Sequence, residues 1–264
     1  MKKYFYILFI SITLASCSQF QKALKSDDTK LKYEVAEKLY EGGKYAKAIR
    51  LFEQLAPSYR GRPQAEKLFY MQAQSQYKLK QYGASGYHFE KFAAQYFNSE
   101  KREEAMFLSA KSYYYLSPVY SKDQIDTYKA IDKVQLFIDA YPNSEFLDEA
   151  NLIAKELREK LEKKAFEIAK LYNSTSYYKS AIKAFDNFIN DYPGTPFKED
   201  ALFYKYDSSY QLAINSVYDK MQERLNLAKA NYNALIKFKS DTKHKQKADE
   251  MLVKIEKELQ QFSK

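Results

Sequence analysis

Leu39-Tyr40-Glu41-Gly42-Gly43-Lys44-Tyr45-Ala46-Lys47-Ala48-Ile49, followed by Phe52 and Leu55, decides the fold. The Gly42-Gly43 pair ends one amphipathic helix, because glycine accepts the left-handed conformation that closes a helix. A second helix opens at Tyr45. Its Ala48, Phe52 and Leu55 stand at i, i+4 and i+7, one helical stripe. The small alanine lets a neighbouring helix approach, and the aromatic ring one turn later fills the space beyond.

The same stripe recurs along the chain. It reads Tyr82, Ser85, Phe89 and Phe92, then Ala130, Val134 and Phe137, then Tyr178, Ala181, Phe185 and Phe188, and last, in degenerate form, Ala228, Tyr232 and Leu235. Two copies end in Tyr-Pro, at Tyr141-Pro142 and Tyr192-Pro193. A residue before proline avoids the α region, so each helix must stop there. The first helix of each pair carries a small residue toward its partner: Ala36, Ala73, Ala110 and Ala169. Repeated helix pairs of this kind are similar to the tetratricopeptide repeat, but every spacing between the small stripe residues exceeds its 34-residue period. Longer helices or enlarged turns are therefore required, as at Ser117 to Asp123. The predicted fold is all-α, a tetratricopeptide-like solenoid of about five helix pairs plus a C-terminal helix. The pairs cover about 29–60, 63–98, 100–141, 145–192 and 197–240, with the last helix at 244–262. No alternating strand pattern competes.

The chain opens with an export signal. Lys2 and Lys3 precede a charge-free, mostly apolar run from Tyr4 to Leu14, too short for an ordinary transmembrane helix. Leu14-Ala15-Ser16-Cys17 closes it, and Cys17 is the only cysteine among 264 residues. Residues 1–16 thus read as a lipoprotein signal peptide and Cys17 as the acylated first residue of the mature chain. A lone cysteine excludes an internal disulfide and any C-x-x-C metal set. Stable membrane attachment needs more than one acyl chain. Ser18 and Gln19 bring no aspartate to retain the protein at an inner membrane, which favours the outer membrane. Residues 17–28 read as a lipidated tether, residues 29–141 as N-terminal repeats, and 142–264 as C-terminal repeats with the final helix.

Composition narrows the function. The net charge of +9 becomes +7 once Lys2 and Lys3 are removed, with lysines spread over helix faces. Export argues against nucleic acid as a partner. The two histidines, His88 and His244, are far apart, and His244 sits in the basic run Lys243-His244-Lys245. No catalytic motif, phosphate loop or zinc signature is present, and neighbouring carboxylates such as Glu103 and Glu104 point apart on a helix. No catalytic residue, no metal and no cofactor is expected beyond the covalent lipid on Cys17. Helical arrays bind extended peptides through their first helices. Those helices carry Tyr33, Tyr40, Tyr70, Gln74, Tyr77 and Tyr114, the peptide-binding candidates. Tyr113, Tyr114 and Tyr115 cannot all face inward, because successive residues point about 100° apart. At the other end Lys239, Lys243 and Lys247 are candidates for docking a folded acidic partner.

A lipoprotein signal joined to enlarged tetratricopeptide units resembles the BamD family of outer-membrane β-barrel assembly lipoproteins. Ala36 to Tyr40, Gly43-Lys44-Tyr45, Ala48-Ile49 and Phe52 carry the likeness. So do Pro63-Gln64-Ala65-Glu66-Lys67-Leu68-Phe69-Tyr70 and the two endings Phe137-Ile138-Asp139-Ala140-Tyr141-Pro142 and Phe188-Ile189-Asn190-Asp191-Tyr192-Pro193. One departure is Ser85, with Gly83 and Gly86 beside it, where the family has alanine; glycine there weakens the helix by roughly 1 kcal/mol against alanine. The resemblance implies a non-catalytic scaffold of the outer-membrane β-barrel assembly machinery, lipid-anchored on the periplasmic side. It implies two partners: the barrel-forming subunit with its periplasmic domains, docked by the C-terminal repeats, and unfolded outer-membrane proteins, met by the N-terminal ones. Two other readings are a periplasmic scaffold for cell-wall or envelope assembly and a glycan-binding lipoprotein. The absence of tryptophan to stack on sugars disfavours the latter.

Overall fold

Three helix–helix turns share one hydrogen-bonding scheme. Gly43 N–H donates to Tyr40 O at 3.0 Å and Lys44 N–H to Leu39 O at 2.8 Å. Lys80 and Gln81 repeat this with Tyr77 O and Gln76 O, both at 2.9 Å, and Ser176 and Tyr177 with Asn173 O at 3.1 Å and Tyr172 O at 2.9 Å. The long bond of each pair satisfies a carbonyl left open at the helix end and requires a left-handed residue. Gly43 supplies it at φ 69°, but Lys80 at 58° and Ser176 at 64° are not glycines. A side chain there costs about 1–2 kcal/mol. Lys80→Gly is therefore expected to stabilise the second pair by up to about 1 kcal/mol, since glycine's greater unfolded freedom offsets part of the gain. An unchanged or lower urea midpoint would contradict that assignment.

The computed structural model describes residues 19–262, so residues 1–16, read above as a signal peptide, and Cys17 lie outside the described residues. Twelve helices follow one another: α1 (19–25), α2 (Thr29–Glu41), α3 (Tyr45–Tyr59), α4 (Ala65–Lys78), α5 (Tyr82–Gln95), α6 (Arg102–Leu116), α7 (Ile125–Ala140), α8 (Leu147–Ser174), α9 (Tyr178–Asp191), α10 (Lys198–Ile214), α11 (Tyr218–Phe238) and α12 (Lys245–Leu259). A 3₁₀ turn, Gln260–Phe262, closes the described chain. No strand occurs among the described residues. The fold is the all-α, tetratricopeptide-like class that the stripes imply.

Two compact units divide the chain. The first holds the described residues through Pro118 and Asp123–Leu157; the second holds Val119–Lys122 and everything from Arg158 onward. The division falls inside α8, not at residues 141–142 where the end of the third pair suggested it. In the first unit Ala48, Phe52, Leu55, Phe89, Ala130 and Phe137 are fully buried, and so are Ala181, Phe185, Ala228 and Leu235 in the second. Both Tyr-Pro endings stop their helices as expected: Tyr141 and Tyr192 leave the α region, each donating to the phenylalanine carbonyl four residues back at 3.0 Å. The 28-residue length of α8 accounts for the widest repeat spacing.

Two expectations need correction. Residues 17–28 were expected to form a tether, yet 19–25 are helical, and Phe20 and Ala23 are buried with Val35, Leu39 and Leu51. Phe20 and Ala23, three residues apart, lie on one side of α1 and enter that core, with Leu24 packed against it. The weak Ser85 position, in turn, is matched by its neighbour helix. Ser85 Oγ lies 2.9 Å from Ser112 Oγ, and Ser109 Oγ donates to Gly86 O at 2.9 Å. A Cβ on Gly86 would stand 3.2 Å from Ser112 Cβ and 3.3 Å from the Tyr113 ring. Here α5 and α6 meet through hydroxyls and a bare backbone, with the buried polar groups satisfied.

Candidate peptide-binding surface

The first helices of the first unit present their tyrosines in two groups. In one, the Tyr40 hydroxyl of α2 donates to Gln74 Oε1 of α4. Tyr70 of α4 packs edge-on against Phe89 and Phe92, with ring centroids 5.9 and 5.5 Å away. Tyr40 and Tyr70 line a cleft of about 380 Å³ whose rim bears Glu41, Glu66, Lys67 and Lys101. Lys67 is bound to Glu37, and Lys101 to Glu104 at 2.9 Å, so the rim cations are already paired. The floor is aromatic and aliphatic, completed by Met71 and Phe92.

The second group lies around the far end of α4. Tyr77 makes ring contacts with Tyr82 at 5.8 Å and Tyr115 at 6.4 Å, and Tyr82 stacks on Tyr115 at 4.5 Å. Tyr114 adjoins Tyr115 at 5.3 Å and donates its hydroxyl to Glu156 at 2.6 Å. Of the three consecutive tyrosines Tyr113 is buried, Tyr114 half-buried and Tyr115 45% exposed, as helical geometry demands. Tyr82 and Tyr115 complete this group and were not among the candidates. Tyr33 stands apart, stacked on Tyr59 at 5.4 Å within the α2–α3 packing.

These phenols are held neutral. Burial, then Glu104, pushes Tyr70 well above the ordinary tyrosine range, and burial, then Tyr115, does the same to Tyr77. The Glu156 hydrogen bond, then burial, raises Tyr114 to about 12. Burial raises Tyr40 and Tyr33 as well. Tyr70 is buried, hydroxyl included, and floors the surface, while Tyr40, Tyr77, Tyr114 and Tyr115 present part of their neutral rings to solvent, flat contact area suited to gripping an extended chain.

The lysines of the second unit are differently placed. Lys239 Nζ meets Glu199 Oε2 at 2.9 Å, Lys243 Nζ meets Asp200 at 2.8 Å, and Lys247 Nζ lies 3.7 Å from Asp207. All three acids belong to α10. The lysines named as docking candidates remain exposed, but their charge is offset within the chain. His244 does not stand in an isolated basic run either: its Nε2 is 2.7 Å from Asp200 Oδ1 and its ring stacks on Phe203 at 3.9 Å. His88 Nδ1 lies 2.6 Å from Gln76 Oε1, and burial lowers its pKa.

Glu199 organises the loop before α12. It accepts from Thr242 Oγ1 at 2.6 Å and from Lys243 N–H at 2.9 Å. Hydrogen bonds from Thr242 and Lys239 hold its carboxyl down to about 2, against an ordinary value of 4.5. A depressed folded-state pKa adds stability above the unfolded value that is lost as pH falls through the folded one. The second unit is expected to weaken as pH falls from about 4.5 toward about 2, and Glu199→Gln should flatten that part of the curve. Denaturant midpoints across the range, compared between the two chains, check this. Parallel curves would contradict it.

Comparison with protein families matches residues 25–225 to YfiO, an outer membrane lipoprotein. The chain belongs to the YfiO family. The match spans most of this chain and includes the tyrosines of the candidate surface. No curated protein matches it. Among solved structures, the yeast Sti1 TPR2AB domain in complex with pHSP90 is similar at 13% identity and a TM-score of 0.40, covering 86% of this chain and 98% of that one. Within this YfiO-family chain, no metal-binding group of His, Cys, Asp and Glu occurs among the described residues, and none of its described helices is long and apolar enough to cross a membrane.

Proposed function

We propose that this protein is a non-catalytic, lipid-anchored scaffold of outer-membrane β-barrel assembly. Cys17 holds it to the periplasmic face of the outer membrane. The first unit takes extended segments of unfolded barrel proteins on its tyrosine surface, and the second unit docks the periplasmic domains of the barrel-forming subunit. Membership of an outer membrane lipoprotein family supports the setting. The observation that carries the substrate role is the run of neutral tyrosines from Tyr40 through Tyr70 and Tyr77 to Tyr114, on successive first helices of one unit. Aromatic rings give large contact area at small entropy loss, and hydroxyls supply adaptable hydrogen bonds to a backbone of any sequence. With Lys239, Lys243 and Lys247 already paired to acids of α10, docking at the second unit draws on surface shape and exposed apolar groups such as Val217 and Val253 more than on those three charges.

Two experiments test the reading. Cys17→Ala is expected to abolish incorporation of a clickable fatty acid and to leave the precursor uncleaved, and label persisting on that variant would contradict the anchor. A photo-crosslinking residue at position 114 is expected to capture an unfolded barrel protein in the envelope, whereas one at exposed position 183 should not. Capture at 183 alone would move substrate binding to the other unit.

A further inference from the structure

We propose that α1 moors the first helix pair directly on the bilayer, where lysine and arginine side chains around it rest on anionic lipid headgroups. The inference builds on acylation at Cys17. It concerns a segment, residues 19–24, that precedes the family match. Because α1 is packed and not free, the anchor has little slack. Phe20 is 3% exposed and Ala23 fully buried in the core of the first pair. Lys47 Nζ and Arg50 Cζ lie over the Phe20 ring, 5.5 and 5.8 Å from its centroid. Two peptide units separate Cys17 from Gln19, a span of at most about 7 Å. An acyl chain seated in the bilayer therefore brings α1 to headgroup level.

The charge at that end suits such a surface. Lys22 and Lys25 are exposed on α1, and Gln19 shares a shallow cleft with Lys38 and Lys44. With Lys47 and Arg50, six cations gather around a helix that contains no acid. Along α3 the first acid is Glu53, beyond Lys47 and Arg50. The acids nearest in sequence are Asp27 and Asp28 just after α1 and Glu34, Glu37 and Glu41 on α2; Asp28 caps α2, Glu37 is taken by Lys67, and Glu41 lines the Tyr40 cleft. An anionic leaflet attracts each nearby lysine or arginine with about fivefold in binding, an effect confined to roughly a Debye length of 10 Å. Phe20 itself does not insert. It pins α1 to the protein, so the bilayer and the tyrosine surface of the same unit stand in a fixed relation.

The test uses the mature chain with Cys17→Ser, in which any membrane binding occurs without acyl chains, pelleted with vesicles of equal parts phosphatidylglycerol and phosphatidylcholine at low salt. Lys22→Glu with Lys25→Glu is expected to lower the bound fraction at least about tenfold, while the matched reversal Lys179→Glu with Lys183→Glu lowers it less than about threefold. Equal losses would mean that net charge alone draws the protein in and would overturn the proposal, as would no loss in either. A second readout uses the acylated chain. It contains no tryptophan, so Gln21→Trp is a sole reporter; brominated lipid should quench it but not Lys183→Trp. An unquenched Trp at position 21 on a labelled, membrane-bound protein contradicts the mooring while leaving acylation intact. Absence of label contradicts the anchor itself.

Discussion

Phe185→Ala is expected to destabilise the second unit by about 3–5 kcal/mol, the usual loss when a buried phenylalanine is truncated and its cavity stays open. Phe185 is fully buried on α9, with Phe166 at 6.1 Å and Tyr204 at 6.2 Å. Those rings belong to α8 and α10, so one side chain ties three helices, and no single neighbour can shift to fill the gap. Phe97→Ala is the control. That ring is 67% exposed at the end of the second pair, and its loss should change stability by no more than about 0.5 kcal/mol. Urea unfolding followed by far-UV circular dichroism separates the two. Similar shifts for both would mean that Phe185 does not sit at a packed crossing.

The second large effect concerns binding. Tyr115→Ala is expected to weaken capture of an unfolded barrel peptide by about 2 kcal/mol, close to thirtyfold, because a central aromatic anchor commonly carries that much of an interface. Tyr115 is the most exposed member of its group, yet it stacks on Tyr82 and touches Tyr77 and Tyr114. Truncation should therefore leave the melting temperature nearly unchanged. Tyr177→Ala, equally aromatic and 66% exposed in the second unit, should leave peptide affinity intact. Fluorescence anisotropy of a labelled peptide reads both. If Tyr177→Ala weakens binding and Tyr115→Ala does not, the substrate surface has been assigned to the wrong unit.

Much of this architecture is written locally. Small residues at Ala48, Ala130 and Ala181, each followed one turn later by a large apolar side chain, report helix crossings because close approach needs a small residue wherever it falls in the chain. The Tyr-Pro endings are equally local, since they act on the backbone of the preceding residue. What stayed hidden was hidden for physical reasons. The residues 19–25 have three apolar side chains among lysines and glutamines beside a signal peptide, and only the face of the first pair makes a core position of Phe20. Lys239 and Lys243 meet Glu199 and Asp200 some forty residues earlier, a pairing that exists only once α10 and the loop before α12 are folded. Tyr40, Tyr70, Tyr77 and Tyr114 were legible as first-helix tyrosines, but Tyr82 reads in the sequence as the opening of a second-helix packing stripe, and only the fold brings its ring against Tyr77 and Tyr115. Tyr33 shows the converse: correct spacing on a first helix, yet a ring taken up by Tyr59.

A scaffold within an assembly that inserts β-barrels must be held to its partners in the envelope. Affinity capture of the acylated chain from detergent-solubilised envelope, with bound proteins identified by mass spectrometry, tests it most directly. The expected result is stoichiometric recovery of one large outer-membrane β-barrel protein bearing periplasmic domains, with unfolded barrel proteins at lower abundance that fall further with Tyr115→Ala. Recovery of cell-wall-assembly proteins in its place, with no β-barrel partner, would contradict it.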